Sequence, residues 1–104
     1  MDLDPDNPLA FEIRQEMAEA YFAACKKMVA SLEALAAFDR AVASSTLDNG
    51  QIRRRTELLE EACELVFFAV IQREAMGLPC FEEFFKDYEI SDEVKTRLRA
   101  RREK

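Results

Sequence analysis

Glu57, Glu61 and Glu64 recur at intervals of four and three residues, so on a helix their carboxylates share one face. With Glu60 they form the stretch of this chain best suited to chemistry, because Mg²⁺ takes oxygen ligands from one or two carboxylates together with substrate phosphates. The bland reading is a solvated acidic face, for which Arg53, Arg54 and Arg55 just upstream supply helical ion-pair partners to Glu57. Composition closes most other routes to catalysis. The chain has no histidine, which removes Ser-His-Asp and Cys-His nucleophile pairs, His-ligated zinc or haem, and Glu-x-x-His di-iron sites. The preferred reading therefore assigns no catalytic residue, no metal ligand and no cofactor. Mg²⁺ on Glu60, Glu61 and Glu64 is the alternative.

Two resemblances bear on that choice. Leu58-Leu59-Glu60-Glu61-Ala62-Cys63-Glu64-Leu65 resembles the first motif, E-E-x-x-E, of the all-α nucleoside triphosphate pyrophosphohydrolases of the MazG type. The resemblance implies that Glu60, Glu61 and Glu64 hold Mg²⁺ against a nucleotide's phosphates, and that an E-x-x-D motif follows on another helix. The downstream E-x-x-D is Glu89-Ile90-Ser91-Asp92, which departs from the pattern by straddling an expected helix break. The segment from Val66 to Leu78, with Gln72-Arg73-Glu74-Ala75-Met76-Gly77-Leu78, followed by Asp87-Tyr88-Glu89-Ile90-Ser91-Asp92-Glu93-Val94, is similar to a group of short, functionally uncharacterised bacterial helical proteins. In that group a helical hairpin ends in Q-R-E-x-x-G-L and then D-Y-x-I-P-x-E-V. Leu32-Glu33-Ala34-Leu35 through Phe38-Asp39 is also similar, and Ser91 stands where the group often has Pro. This second resemblance implies an all-α bacterial protein and adds no activity.

The elements that must position these residues are marked by few glycines and prolines: the chain has two Gly and three Pro. Asn7-Pro8 reads as a helix start, Asn as N-cap and Pro at the first helical position. Asp48 and Gln51 have the spacing of a capping box. Gly77 suits a left-handed C-terminal position, and Pro79 forbids continuation. Ser91, with Asp92 and Glu93 behind it, caps a last helix. The spacing predicts a single all-α domain, residues 1–104, with helices over about 8–44, 49–76, 80–88 and 92–102. It is a long antiparallel hairpin followed by two short helices.

Within the first helix, Glu12, Glu19, Lys26, Glu33 and Arg40 recur every seven residues as a polar stripe. Met17, Tyr21, Met28, Leu35, Phe38 and Val42, with Ala24 and Ser31, form an apolar seam at alternating spacings of three and four, a core or dimer interface. Phe22, Val29, Ala36 and Ala43 form a further apolar row. A helix apolar over so much of its circumference calls for more than one partner. It is also too long for a compact 100-residue globule, whose radius of gyration is about 13 Å. The expectation is a homodimer whose two hairpins form a four-helix bundle, with the short aromatic helix covering the stretch near Phe11 and Ile13. Arg73 and Glu74 close the apolar run of the second helix and read as a polar network fixing hairpin register, Arg73 pairing with Glu16 or Glu19.

Net charge is −6, with 9 basic and 18 acidic residues in 1–90 but 6 basic and 3 acidic in 91–104. The basic tail (Lys95, Arg97, Arg99, Arg101, Arg102, Lys104) suits the negative end of a helix dipole. Nucleic-acid binding is not expected, since the acidic body repels a polyanion and no aromatic residues interleave the tail's cations. No apolar run reaches the ~18–20 residues of a membrane span. The acidic start Met1–Asp6 is unlike a signal peptide. Cys25, Cys63 and Cys80 read as small apolar residues in a reducing cytoplasm. The function expected is a non-enzymatic, homodimeric helical interaction module with room for a further protein partner. The alternative is a Mg²⁺-dependent pyrophosphohydrolase.

Overall fold

A computed structural model describes residues 8–78 and 81–102. The Asn7 cap, Pro79, Cys80 and Lys104 lie outside the described residues. Within them the chain is all-helical, with no strand: α1 Pro8–Val42, α2 Asn49–Ala75, α3 Phe81–Asp87 and α4 Asp92–Arg102.

Local chemistry sets the boundaries. Asp48 accepts the Gln51 backbone N–H at 2.8 Å, and the Gln51 side chain accepts the Asp48 N–H at 3.0 Å, so the capping box is complete. At the other end of α2, Gly77 takes φ +73°. Its N–H reaches the Glu74 carbonyl (2.9 Å), and the Leu78 N–H reaches the Arg73 carbonyl (3.2 Å). That pair of bonds is a Schellman ending, and glycine enters it without steric cost.

The same ending closes α3 with a less suitable residue. The Glu89 N–H bonds the Lys86 carbonyl (3.2 Å), the Ile90 N–H bonds the Phe85 carbonyl (2.9 Å), and Glu89 itself sits at φ 52°. A left-handed conformation costs a non-glycine residue roughly 1–2 kcal/mol, of which glycine's extra unfolded-state freedom offsets roughly 0.5–1. Glu89→Gly is therefore expected to raise stability by about 0.5–1 kcal/mol, read as a higher urea midpoint. A lower midpoint would show that the Glu89 side chain makes a stabilising contact. Ser91 then starts α4, its hydroxyl accepting the Val94 N–H at 3.3 Å.

Two bonds across the hairpin fix its register. The Arg55 guanidinium donates to Asp39, and Arg73 donates to the Tyr21 hydroxyl. On each helix the two bonding residues are eighteen positions apart, five turns at about 3.6 residues each, so both bonds lie on the same faces. Between them, Tyr21, Ala24, Cys25, Met28 and Leu35 of α1 bury against Leu58, Leu59, Ala62, Val66, Ala69 and Val70 of α2. Alanines at 24, 62 and 69 let the axes approach closely. Phe84, Ile90, Val94 and Leu98 complete the same core from α3 and α4.

With 35 residues α1 is the longer rod, about 52 Å against about 40 Å for the 27 residues of α2. Its first turns therefore outrun α2. The molecule measures 59 × 25 × 21 Å with a radius of gyration of 16.9 Å, well beyond the ~13 Å of a compact domain of this length. One expectation is corrected here. α3 does not cover Phe11, which remains 65% exposed. Phe84 instead turns into the core under Arg73 (5.6 Å) and against Tyr88 (5.0 Å), because a phenyl ring gains more from that enclosed site than from one side of a projecting rod.

Candidate interaction surface

The seam of α1 divides by depth. Tyr21, Met28, Leu35, Ala24 and Ser31 are buried, while Met17, Phe38 and Val42 are half-buried. This seam faces the chain's own second helix. The polar stripe Glu12, Glu19, Lys26, Glu33 and Arg40 is exposed along its length, and Arg40 reaches back to Glu33 at 2.7 Å.

The further row behaves differently. Phe22 is 67% exposed and Val29 47%, although each directly follows a buried residue of the seam. One position is about 100° of helix, enough to carry the row off the hairpin contact. On α2, Phe68 is 50% exposed, and Ile52 and Ile71 are also exposed. Isolated exposed apolar residues are ordinary. Phe22 and Val29 are not isolated, since they stand one heptad apart on a single helix with half-buried Ala36 next in line.

Polar groups beside this surface mostly serve to join elements. Arg55 is bidentate to Asp39 of α1 (2.8 and 3.1 Å) and bonds both carboxylate oxygens of Glu93 of α4 (3.0 and 2.8 Å). Arg53, Arg54 and Arg55 are all expected as helical partners of Glu57. Of the three, Arg54 takes that role, at 3.5 Å from Glu57, while Arg55 turns to Asp39 and Glu93. The Arg55 bonds hold the carboxyls of Asp39 and Glu93 below their ordinary range, against a smaller opposing effect of burial. A lowered folded pKa gives stability that is present above the unfolded value of about 4 and is lost as pH falls through the folded value. Both carboxylates are more than two-fifths exposed, so each contributes under about 1 kcal/mol. Wild type is therefore expected to exceed Arg55→Met in urea stability at pH 7, and that advantage to shrink steadily as pH falls below 4. An advantage unchanged at pH 2.5 would show that the carboxylates contribute nothing.

Arg73, expected to meet Glu16 or Glu19, donates across the hairpin to the Tyr21 hydroxyl at 2.9 Å and lies over Phe84. Glu16, Glu19 and Glu74 are exposed. Tyr88 and Cys25 complete this cluster: the thiol beside it and burial push the Tyr88 hydroxyl up to about 12. Neither Tyr21 nor Tyr88 is thereby an acid or base at neutral pH.

The carboxylates of the alternative reading lie on the surface of α2. Glu57, Glu60, Glu61 and Glu64 are all exposed. Glu60 and Glu64 line an open groove of about 510 Å³ between α2 and α4, opposite Arg97 and Arg101, with Cys63 and Ala100 beside them. Burial pushes the Cys63 thiol up, away from thiolate chemistry. Glu89 and Asp92 flank the break between α3 and α4, so they do not share a helix face. Among the described residues no three of the Cys, Asp and Glu side chains come close enough together to hold a metal ion. Two of the tail cations lie over the protein's own aromatic rings, Arg101 over Phe67 (5.4 Å) and Lys95 over Phe85 (5.8 Å). No described helix is long and apolar enough to cross a membrane.

No protein-family model, curated protein or solved structure matches the chain.

Proposed function

We propose that the protein is a non-enzymatic helical interaction module that works as a homodimer, two hairpins joining into a four-helix bundle. The observation that carries this is the second apolar row of α1. Phe22 and Val29 stand in line and in water on a helix that already buries its first seam internally. Aligned apolar exposure of this kind marks association surfaces. The exposure of Glu60, Glu61 and Glu64, two of them facing arginines across an open groove, supports a structural role for those carboxylates over magnesium binding. Buried free thiols at Cys25 and Cys63 are consistent with the reducing cytoplasm of a bacterial cell.

Sedimentation equilibrium tests the dimer directly. A species of twice the 12.0 kDa chain mass is expected at micromolar concentration, and a chain that stays monomeric at 100 micromolar overturns the proposal. Magnesium-dependent release of pyrophosphate from nucleoside triphosphates, abolished by Glu61→Gln, would overturn its non-enzymatic part.

A further inference from the structure

Phe22, Val29 and Ala36 stand at seven-residue spacing on α1, and Glu19, Lys26, Glu33 and Arg40 run beside them at the same spacing, all four exposed. Building on the homodimer reading above, we infer that the occupant of this row is α1 of a second copy, antiparallel to the first. Val29 lies at the two-fold axis, and Phe22 of each copy packs on Ala36 of the other.

Side-chain size sets one register. With Val29 opposite itself, positions whose numbers sum to 58 face each other, so the large Phe22 ring meets the small Ala36 methyl twice. Charge independently sets the same register to within one residue. Two antiparallel helices bring the same flank of each into contact, as e meets e and g meets g in antiparallel coiled coils. The flank here reads acidic, basic, acidic, basic from Glu19 to Arg40. Reversed upon itself, it places Glu19 against Arg40 and Lys26 against Glu33, each pair occurring twice.

Alternatives are disfavoured by the same residues. A slip of one heptad in one direction sets Glu19 against Glu33 and Lys26 against itself. A slip in the other sets Lys26 against Arg40 and Glu33 against itself. Both put like charges together. A parallel pairing would oppose the charged flank to the other edge of the row, where buried Cys25 and half-buried Leu32 belong to the chain's own core. Within one copy Arg40 already bends along the row to Glu33 at 2.7 Å, both side chains 66% exposed, so these groups are free to accept further partners without unburying anything.

The test is a charge swap read by sedimentation. Glu19→Lys with Glu33→Lys makes the flank wholly basic, and Lys26→Glu with Arg40→Glu makes it wholly acidic. Each double variant is expected to self-associate at least tenfold more weakly than wild type, while an equimolar mixture of the two regains wild-type affinity as a heterodimer. The basic variant is the sharper arm, because its overall net charge falls in magnitude and non-specific association would strengthen. If wild type is a dimer and both variants dimerise as well as it does, the α1 pairing is overturned while the homodimer reading stands. If wild type is monomeric, both are overturned. Should a double variant fail to fold by circular dichroism, Val29→Cys in a Cys80→Ser background replaces it. Mild oxidation is then expected to give a 29–29 disulfide, identified by peptide mass, and its absence from an oxidised dimer overturns the pairing.

Discussion

Phe84→Ala is expected to lower the stability of the fold by about 3–4 kcal/mol, measured as a fall in the urea midpoint at unchanged slope. A 104-residue chain has roughly 5–15 kcal/mol in all, so this one truncation removes about a fifth or more of it. The magnitude follows from where the ring sits. Phe84 is fully buried, on a helix of seven residues, too short to be stable by itself. It packs tilted against Tyr88 at 5.0 Å, meets Phe85 edge-on at 6.0 Å and carries the Arg73 guanidinium over its face at 5.6 Å. Truncation leaves a cavity at the junction of three helices and removes the aromatic partner of a half-buried cation, worth about 0.5–1 kcal/mol more. Phe85→Ala serves as the control. That ring is only half-buried and is expected to cost less than half as much. Equal losses for the two would show that α3 is not docked through Phe84.

Phe84 also illustrates what the sequence concealed. The all-helical character is legible, and so are those ends that rest on a local contact: Asp48 with Gln51, Gly77 with its left-handed φ, Ser91 with Val94. The stripe of α1 that turns inward is legible for the same reason, since Tyr21, Met28 and Leu35 follow helical periodicity. What α3 packs against is not local. Its placement is a tertiary matter that no spacing rule supplies, so the aromatic helix is expected over Phe11, which stays exposed. Polar pairs were hidden in a different way. Tyr21 reads as an apolar seam residue, yet its ring buries while its hydroxyl receives Arg73. Arg55 reads as one of three adjacent arginines, yet it alone lies on the face turned to Asp39 and Glu93. The phase of Arg55 relative to Leu58, Leu59 and Ala62 was the available signal, because a cation at the edge of an apolar face needs carboxylates from the neighbouring helices. The candidate surface was half legible. The row Phe22, Val29, Ala36 was visible as apolar, but only the structure shows that the hairpin leaves it uncovered.

Leu98→Ala carries the second large effect, an expected loss of about 2–4 kcal/mol, and it also separates folding from association. α4 is rich in charge and places two fully buried side chains in the core, Val94 and Leu98. Polar and cation–aromatic contacts lie at its rim: Glu93 with Arg55, Lys95 over Phe85 and Arg101 over Phe67. Each of these is worth at most about 1 kcal/mol in water, too little to hold an eleven-residue helix once one of its two anchors is gone. Hydrogen exchange is therefore expected to rise first and most in α4, with the amides of α1 and α2 between the Tyr21–Arg73 and Asp39–Arg55 bonds still protected. The row proposed for self-association lies on α1 and includes no residue of α4. Below the denaturation midpoint, the dimer constant of Leu98→Ala should thus match wild type even as α4 exchanges freely. A dimer that weakens in step with the loss of α4 would move the interface from the α1 row to the α2–α4 groove, where Glu60 and Glu64 face Arg97 and Arg101.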